Sequence, residues 1–176
     1  MPSILTRSLF PVLLTILTAL SASSASAHLM PSGRGSLNVT DSGVYMILSL
    51  PMSAFEGSDE NGDGSVSIAE FNKHRSAIIE RMEHAVWLEQ GGERLSPKHV
   101  MLDPQTSHAG RQSGVFETTI LARFPRNADS PLPAAFGLSA YGPEGEPIEF
   151  RASHRALGLT STFTVSADAE RGAIAW

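Results

Sequence analysis

The sequence from Gly35 to Leu50 reads G-S-L-N-V-T-D-S-G-V-Y-M-I-L-S-L. Its first part alternates between polar and apolar side chains, which is the period of a β-strand with one buried face. Asp41, Ser42 and Gly43 have the composition of a turn. The residues after the turn are rich in β-branched and aromatic side chains and end at Pro51. The stretch therefore predicts two β-strands joined by a short turn.

The second half of the chain continues this pattern of short strands separated by Gly and Pro. Segments 85–89 and 94–102 flank Gly91-Gly92, which predicts a hairpin. Four more strands are predicted at 115–124, 134–141, 148–153 and 159–166. Such spacing is typical of a sandwich or a barrel. Of these we favour a mainly β fold built as an immunoglobulin-like β-sandwich.

Residues 51–83 differ from the rest because they carry a helical pattern. The residues from Pro51 to Phe55 suffice for only one turn of helix before an acidic, Gly-containing loop. After the loop, apolar residues recur at the spacing of one helix face. These residues are Ile68, Phe71, Ile78, Ile79 and Met82. We expect one helical excursion at 51–83, inserted in the β-rich domain.

The loop from Asp59 to Glu70 is twelve residues long and reads D-E-N-G-D-G-S-V-S-I-A-E. Its oxygen-bearing side chains alternate, and Gly64 stands at position six, where a positive φ is needed and glycine adopts it without steric penalty. Calcium takes about six to eight oxygens, and such a loop can wrap around it. Val66 at position eight is apolar, as a loop packed inward there requires. The predicted ligands are Asp59, Asn61, Asp63, Ser65 (through its carbonyl), Ser67 (directly or through water) and Glu70 (with two oxygens).

The loop matches the pattern D-x-[DN]-x-[DN]-G-x5-E in full, and the segment resembles the EF-hand family. Phe55 and Phe71 fall where EF-hands carry packing aromatics. More loosely, the chain resembles small exported bacterial EF-hand proteins with a β-rich body. The resemblance implies Ca²⁺ as the bound ion. Three acidic ligands and the lack of a partner hand predict a dissociation constant of about 10⁻⁴ to 10⁻³ M, or up to tenfold lower.

The segment also departs from the EF-hand pattern. Ser58 replaces a common aromatic, Pro51 and Gly57 shorten the incoming helix, and the sequence has no second loop to pair with. A different interpretation is a plain surface turn followed by a helix cap, because Ser67 and Glu70 also form the capping-box pattern S-x-x-E.

The first 27 residues have the pattern of a secretory signal peptide. Arg7 precedes an apolar run at 9–20, and Ala25-Ser26-Ala27 fits the small-residue cleavage rule. The run is shorter than the roughly 20 residues that a spanning helix needs. We therefore expect an exported protein, periplasmic or extracellular, whose residues 28–176 form a single domain without a membrane span.

The charge of the chain weakens other functional classes. Cleavage would remove Arg7 and leave 12 of the 13 basic residues against 18 acidic ones, a net charge of −6. This balance argues against nucleic acid as a partner. The sequence names no protein partner.

Copper binding by the new N-terminus is the alternative function. Cleavage after Ala27 would expose the amine and imidazole of His28, with the thioether of Met30 nearby. An enzyme is not expected: the chain has no cysteine, no H-E-x-x-H pattern and no assembled set of nucleophile and base. We therefore favour a non-catalytic calcium-binding protein over a copper accessory protein.

Overall fold

The computed structural model describes residues 33–107 and 114–176; the predicted signal peptide at 1–27 and His28 lie outside them. The strands are β1 (Arg34–Thr40), β2 (Gly43–Pro51), β3 (Val86–Gln90), β4 (Glu93–Leu95), β5 (Lys98–Ser107), β6 (Gly114–Pro125), β7 (Ala135–Leu138), β8 (Ile148–His154), β9 (Leu159–Val165) and β10 (Arg171–Ala173). One α-helix, α1 (Ile68–Ala85), lies between β2 and β3 in the described chain. The prediction of a mainly β protein is confirmed.

The strands form two sheets. The larger has the order β5-β6-β2-β1-β8-β9, and the smaller has the order β10-β7-β3-β4. β1 and β2 pair antiparallel from Gly35–Leu48 to Thr40–Gly43, as the alternation at 35–50 predicts. β1 also pairs with β8, and there the two strands are parallel. The larger sheet is therefore mixed.

Both sheets contribute to one hydrophobic core, which is consistent with the predicted sandwich. Leu37 and Leu48 belong to the larger sheet and are fully buried. Phe136 on β7 belongs to the smaller sheet, and its ring centroid lies 4.4 Å from that of Phe150 on β8. The Phe150 ring stacks on Phe163 of β9 at 5.5 Å. These rings join the smaller sheet to the larger one.

Helix α1 contributes one face to the same core. Phe71, Ile78, Met82 and Ala85 are buried, and Ile79 is partly buried. Ile68 is 44% exposed, so its predicted place on the buried face is wrong. The helix ends where β3 begins at Val86, so α1 carries the chain from the larger sheet into the smaller one. Within residues 33–107 and 114–176, the structure contains no helix with the length and apolar composition of a membrane span.

A charged pair ties the edge strand β10 to β3. Arg171 Nε donates to Glu89 Oε1 at 3.0 Å, and Nη2 donates to Oε2 at 2.7 Å. The Arg171 guanidinium holds the pKa of Glu89 below its ordinary value. A lowered carboxyl pKa stabilises the fold above the unfolded pKa, and that stabilisation is lost as pH falls through the folded pKa.

We therefore predict that the pair stabilises the protein at neutral pH and stops doing so in acid. Glu89→Gln should unfold at lower urea concentration than wild type at pH 7. The difference should shrink below about pH 4.3, the ordinary glutamate pKa, and vanish at lower pH. Urea unfolding of both proteins at pH 7 and about pH 3 measures it. A difference that persists undiminished in acid would contradict the role of this ion pair.

Candidate metal site

The loop from Asp59 to Glu70 lies between one turn of 3-10 helix and α1. The turn, Met52–Ala54, directly follows β2. Phe55 and Phe71, on either side of the loop, are both buried in the core. They therefore pack where the sequence placed the anchoring aromatics. Ser58, which stands in place of a further aromatic, is also buried.

The first half of the loop winds around its own side-chain oxygens. Asp59 accepts the N–H of Gly62 at 2.8 Å with Oδ1 and that of Gly64 at 2.9 Å with Oδ2. Asn61 Oδ1 accepts from the Asp63 N–H at 2.8 Å. These bonds turn the side chains of Asp59 and Asn61 back toward the backbone of the loop.

The pattern continues one step further along the loop. Asp63 Oδ1 accepts the Ser65 N–H at 2.9 Å, and Asp63 Oδ2 accepts Asn61 Nδ2 at 3.0 Å. Gly64 has φ +83°, as predicted for position six. A side chain at this φ would strain the backbone, because L-residues rarely adopt it. The structure thus brings Asp59, Asn61 and Asp63 into one hydrogen-bonded turn.

Glu70 closes the loop from the other end. Its Oε1 accepts the Glu60 N–H at 3.1 Å, and its Oε2 accepts both the N–H of Ser67 at 2.8 Å and the Ser67 hydroxyl at 2.7 Å. Ser67 Oγ in turn accepts the Glu70 N–H at 3.2 Å, which completes a capping box at the start of α1. The bonds from Ser67 hold the pKa of Glu70 below its ordinary value.

The capping box is therefore present in the structure, as the alternative interpretation of the sequence requires. In the described residues, no group of three or more His, Asp or Glu side chains is arranged to hold a metal ion. Glu70 Oε1 accepts from the Glu60 N–H in the turn, and its Oε2 accepts from Ser67 at the helix cap. The carboxylates of Asp59, Asp63 and Glu70 thus accept from N–H and O–H donors of the loop itself.

The donor chemistry nevertheless fits a hard cation. A carboxylate has about four acceptor positions, and each hydrogen bond here uses one of them. Free lone pairs therefore remain on Asp59, Asp63 and Glu70. Calcium ligands also include amide, hydroxyl and carbonyl oxygens, which Asn61, Ser67 and Ser65 carry. The set is all oxygen, so it suits calcium or magnesium rather than a soft metal.

Basic residues on α1 contact the outer side of the loop. Lys73 Nζ donates to the Glu60 carboxylate at 2.6 Å, and His74 Nε2 lies 2.8 Å from Glu60 Oε1. Lys73 first, and then His74, lowers the pKa of Glu60. Arg75, which the sequence also places near the loop, instead donates to the Leu102 carbonyl at 2.9 Å. Lys73 and His74 thus pair with Glu60, whereas Asp59, Asp63 and Glu70 accept hydrogen bonds from the loop itself.

The loop is also fastened to the larger sheet at position eight. The Val115 N–H of β6 donates to the Val66 carbonyl at 2.7 Å, and the two residues form an isolated antiparallel bridge. Both side chains are buried. The sequence indicated an inward-packed residue at Val66, but only the structure identifies its partner.

A comparison with models of known protein families and with curated proteins found no match for this chain.

Proposed function

We propose that the protein is an exported calcium-binding protein in which the loop Asp59–Glu70 holds one Ca²⁺. In this proposal residues 51–83 are a single EF-hand inserted in an immunoglobulin-like β-sandwich. The role is structural or adaptor-like and not catalytic. The observation that supports it most is the turn at 59–65, where alternate side-chain oxygens fold back on the loop around a glycine of positive φ.

Each predicted ligand has a defined part in this proposal. Asp59, Asn61 and Asp63 supply side-chain oxygens from the turn, and Ser65 supplies its carbonyl. Ser67 and Glu70 supply oxygens from the start of α1. Calcium tolerates an irregular shell of about six to eight oxygens, whereas magnesium demands a near-octahedral one and keeps its waters. The loop should therefore prefer calcium.

The position of the loop supports a structural role. β2 in the larger sheet leads into the loop through the turn Met52–Ala54, and α1 leads out of it into β3 of the smaller sheet. An ion that fixes the loop also fixes the start of α1 relative to the end of β2. Calcium would then stabilise the crossing between the two sheets.

Glu70→Gln is expected to weaken calcium binding at least tenfold. The substitution removes one negative charge and one good acceptor from the shell. Glutamine still satisfies the capping box, so the start of α1 should persist. Calorimetric titration of the protein from His28 to Trp176 with calcium measures the affinity, and a parallel magnesium titration should show much weaker binding.

Glu80→Gln is the matched control, because Glu80 is exposed on the same helix beyond the loop. It makes the same change in charge, and calcium affinity should stay at the wild-type value. Equal affinities in the Glu70 variant and the wild type would exclude this loop as the site. The segment would then be a turn and a helix cap.

A further inference from the structure

The contact between the loop and strand β6 joins segments far apart in the chain. Val66 and Val115 are 7% and 3% exposed, so their bridge lies at the edge of the core rather than in solvent. The N–H of Val115 donates to the Val66 carbonyl at 2.7 Å. The preceding residue in the loop is Ser65, whose own carbonyl is a proposed calcium ligand.

Gly114, next to Val115, packs closely against the same part of the loop. A Cβ on Gly114 would lie 2.2 Å from Ser65 Oγ and 3.0 Å from the Val66 carbonyl oxygen. The serine hydroxyl can rotate away, but the carbonyl oxygen belongs to the backbone. A Cβ at Gly114 therefore requires the Val66 carbonyl to shift away from β6 by a few tenths of an ångström, and the branches of a larger side chain increase that shift.

Strand β6 is held in the larger sheet by pairing on both sides. It pairs with β2 along the whole length of β2, from Gly43–Pro125 to Pro51–Glu117, and with β5 on its other side. β2 in turn leads directly into the turn before the loop. The entrance of the loop and its eighth position are thus held by two adjacent strands of one sheet.

We propose that β6 is part of the calcium site, with Gly114 and Val115 as positioning residues that hold Ser65 and Val66 in the binding geometry. This inference rests on the proposed function above. A loop whose seventh and eighth residues are fixed loses less freedom when the ion binds, and site rigidity is one of the factors that set calcium affinity. The sheet in this way acts as the partner of the single loop.

Gly114→Val tests the proposal by pushing the loop backbone off the strand. Calcium affinity, measured by calorimetry, should fall by roughly tenfold, since the rigidity of the site is lost while every ligand remains. The melting temperature in chelator, where no ion is bound, reports the cost of the substitution to the fold alone. The measurement thus separates an effect on the site from an effect on the fold.

Gly43→Val is the matched control, because Gly43 pairs with Pro125 at the opposite end of β6 from Gly114. A Cβ there would lie 2.8 Å from Arg123 Nε and 3.1 Å from the Phe124 carbonyl oxygen, which is the same combination of a flexible side chain and a backbone oxygen. This variant should lose stability and keep wild-type calcium affinity. Equal loss of affinity in both glycine variants would overturn the proposal.

Hydrogen exchange at the Val115 amide tests the same proposal without a substitution. Coupling between two sites is reciprocal, so calcium should slow exchange at Val115 by the factor by which opening the bridge weakens binding, roughly tenfold. Amides of β8 and β9 serve as the reference. If wild type binds calcium but Val115 exchange and Gly114→Val affinity do not change, the positioning role fails alone. If wild type does not bind calcium, the proposed function fails and this inference fails with it.

Discussion

Phe150→Ala should lower the free energy of unfolding by about 3–5 kcal/mol, the cost of removing a large aromatic side chain from a core. Phe150 is fully buried on β8. Its ring centroid lies 4.4 Å from Phe136 of the smaller sheet and 5.5 Å from Phe163 of the larger one. Truncation therefore removes contacts within one sheet and between the two sheets. Urea unfolding by fluorescence and circular dichroism measures the loss.

Phe116→Ala is the control for this prediction. Phe116 is 46% exposed, next to the shift in register between β5 and β6, so its truncation should change stability by only about 0.5 kcal/mol. A loss below about 1 kcal/mol for Phe150→Ala would mean that the sheets do not share this core, because even a cavity that collapses fully loses the transfer free energy of the buried ring. That result would contradict the arrangement of the three rings.

Strands with one buried face could be predicted from the sequence because their alternation is local. The strands at 35–50, 115–124, 148–153 and 159–166 all appear near their predicted bounds. The predicted strand 94–102 is instead two strands: β4 ends at Leu95 in the smaller sheet, and β5 begins at Lys98 in the larger one. Alternation shows which side of a strand is buried, but not which sheet it joins.

Long-range pairing accounts for the other differences. Nothing local indicates that β1 pairs with β8 in parallel, or that the three residues of β10 join β7. The hairpin at Gly91-Gly92 could be predicted because glycine is the residue that most readily adopts the positive φ of such a turn. In the structure both glycines have positive φ, at +62° and +85°. Residue types within a few positions therefore predict the turns. The order of the strands depends on pairing and core packing between residues far apart in the chain.

The candidate site divides in the same way. The Asp59–Glu70 loop is a local pattern, and its turn and capping box form within a few residues of their partners. The contacts with Gly114 and Val115 come from a strand nearly fifty residues further along the chain. Sequence alone indicated only that Val66 is apolar in a polar loop. The partner on β6 follows from the pairing of β6 with β2.

Calcium should stabilise the wild-type protein by about 2.7 kcal/mol when its free concentration is a hundred times the dissociation constant, if the unfolded chain does not bind the ion. For a domain of about 150 residues this corresponds to a rise in melting temperature of about 5–10 °C. The physical cause is that the ion binds only the folded loop, where it lies among the carboxylates of Asp59, Asp63 and Glu70. Among the described carboxylates of the loop, Lys73 and His74 form ion pairs with Glu60 alone. The ion supplies the missing positive charge.

The experiment is thermal melting in excess chelator and in calcium at a hundred times the measured dissociation constant, at matched ionic strength, with hydrogen exchange on residues 51–83. The β sheets carry most of the buried apolar residues, so they should fold in chelator, whereas exchange in the loop and the first turn of α1 should be fast until calcium is added. Glu70→Gln should show at most about half of this shift at the same calcium concentration, because a tenfold loss of affinity lowers the stabilisation from about 2.7 to about 1.4 kcal/mol. If calcium changes neither the melting temperature nor the exchange rates of the wild type, the loop binds no ion. The hydrogen bonds of Asp59, Asp63 and Glu70 would then form only a closed turn and a helix cap.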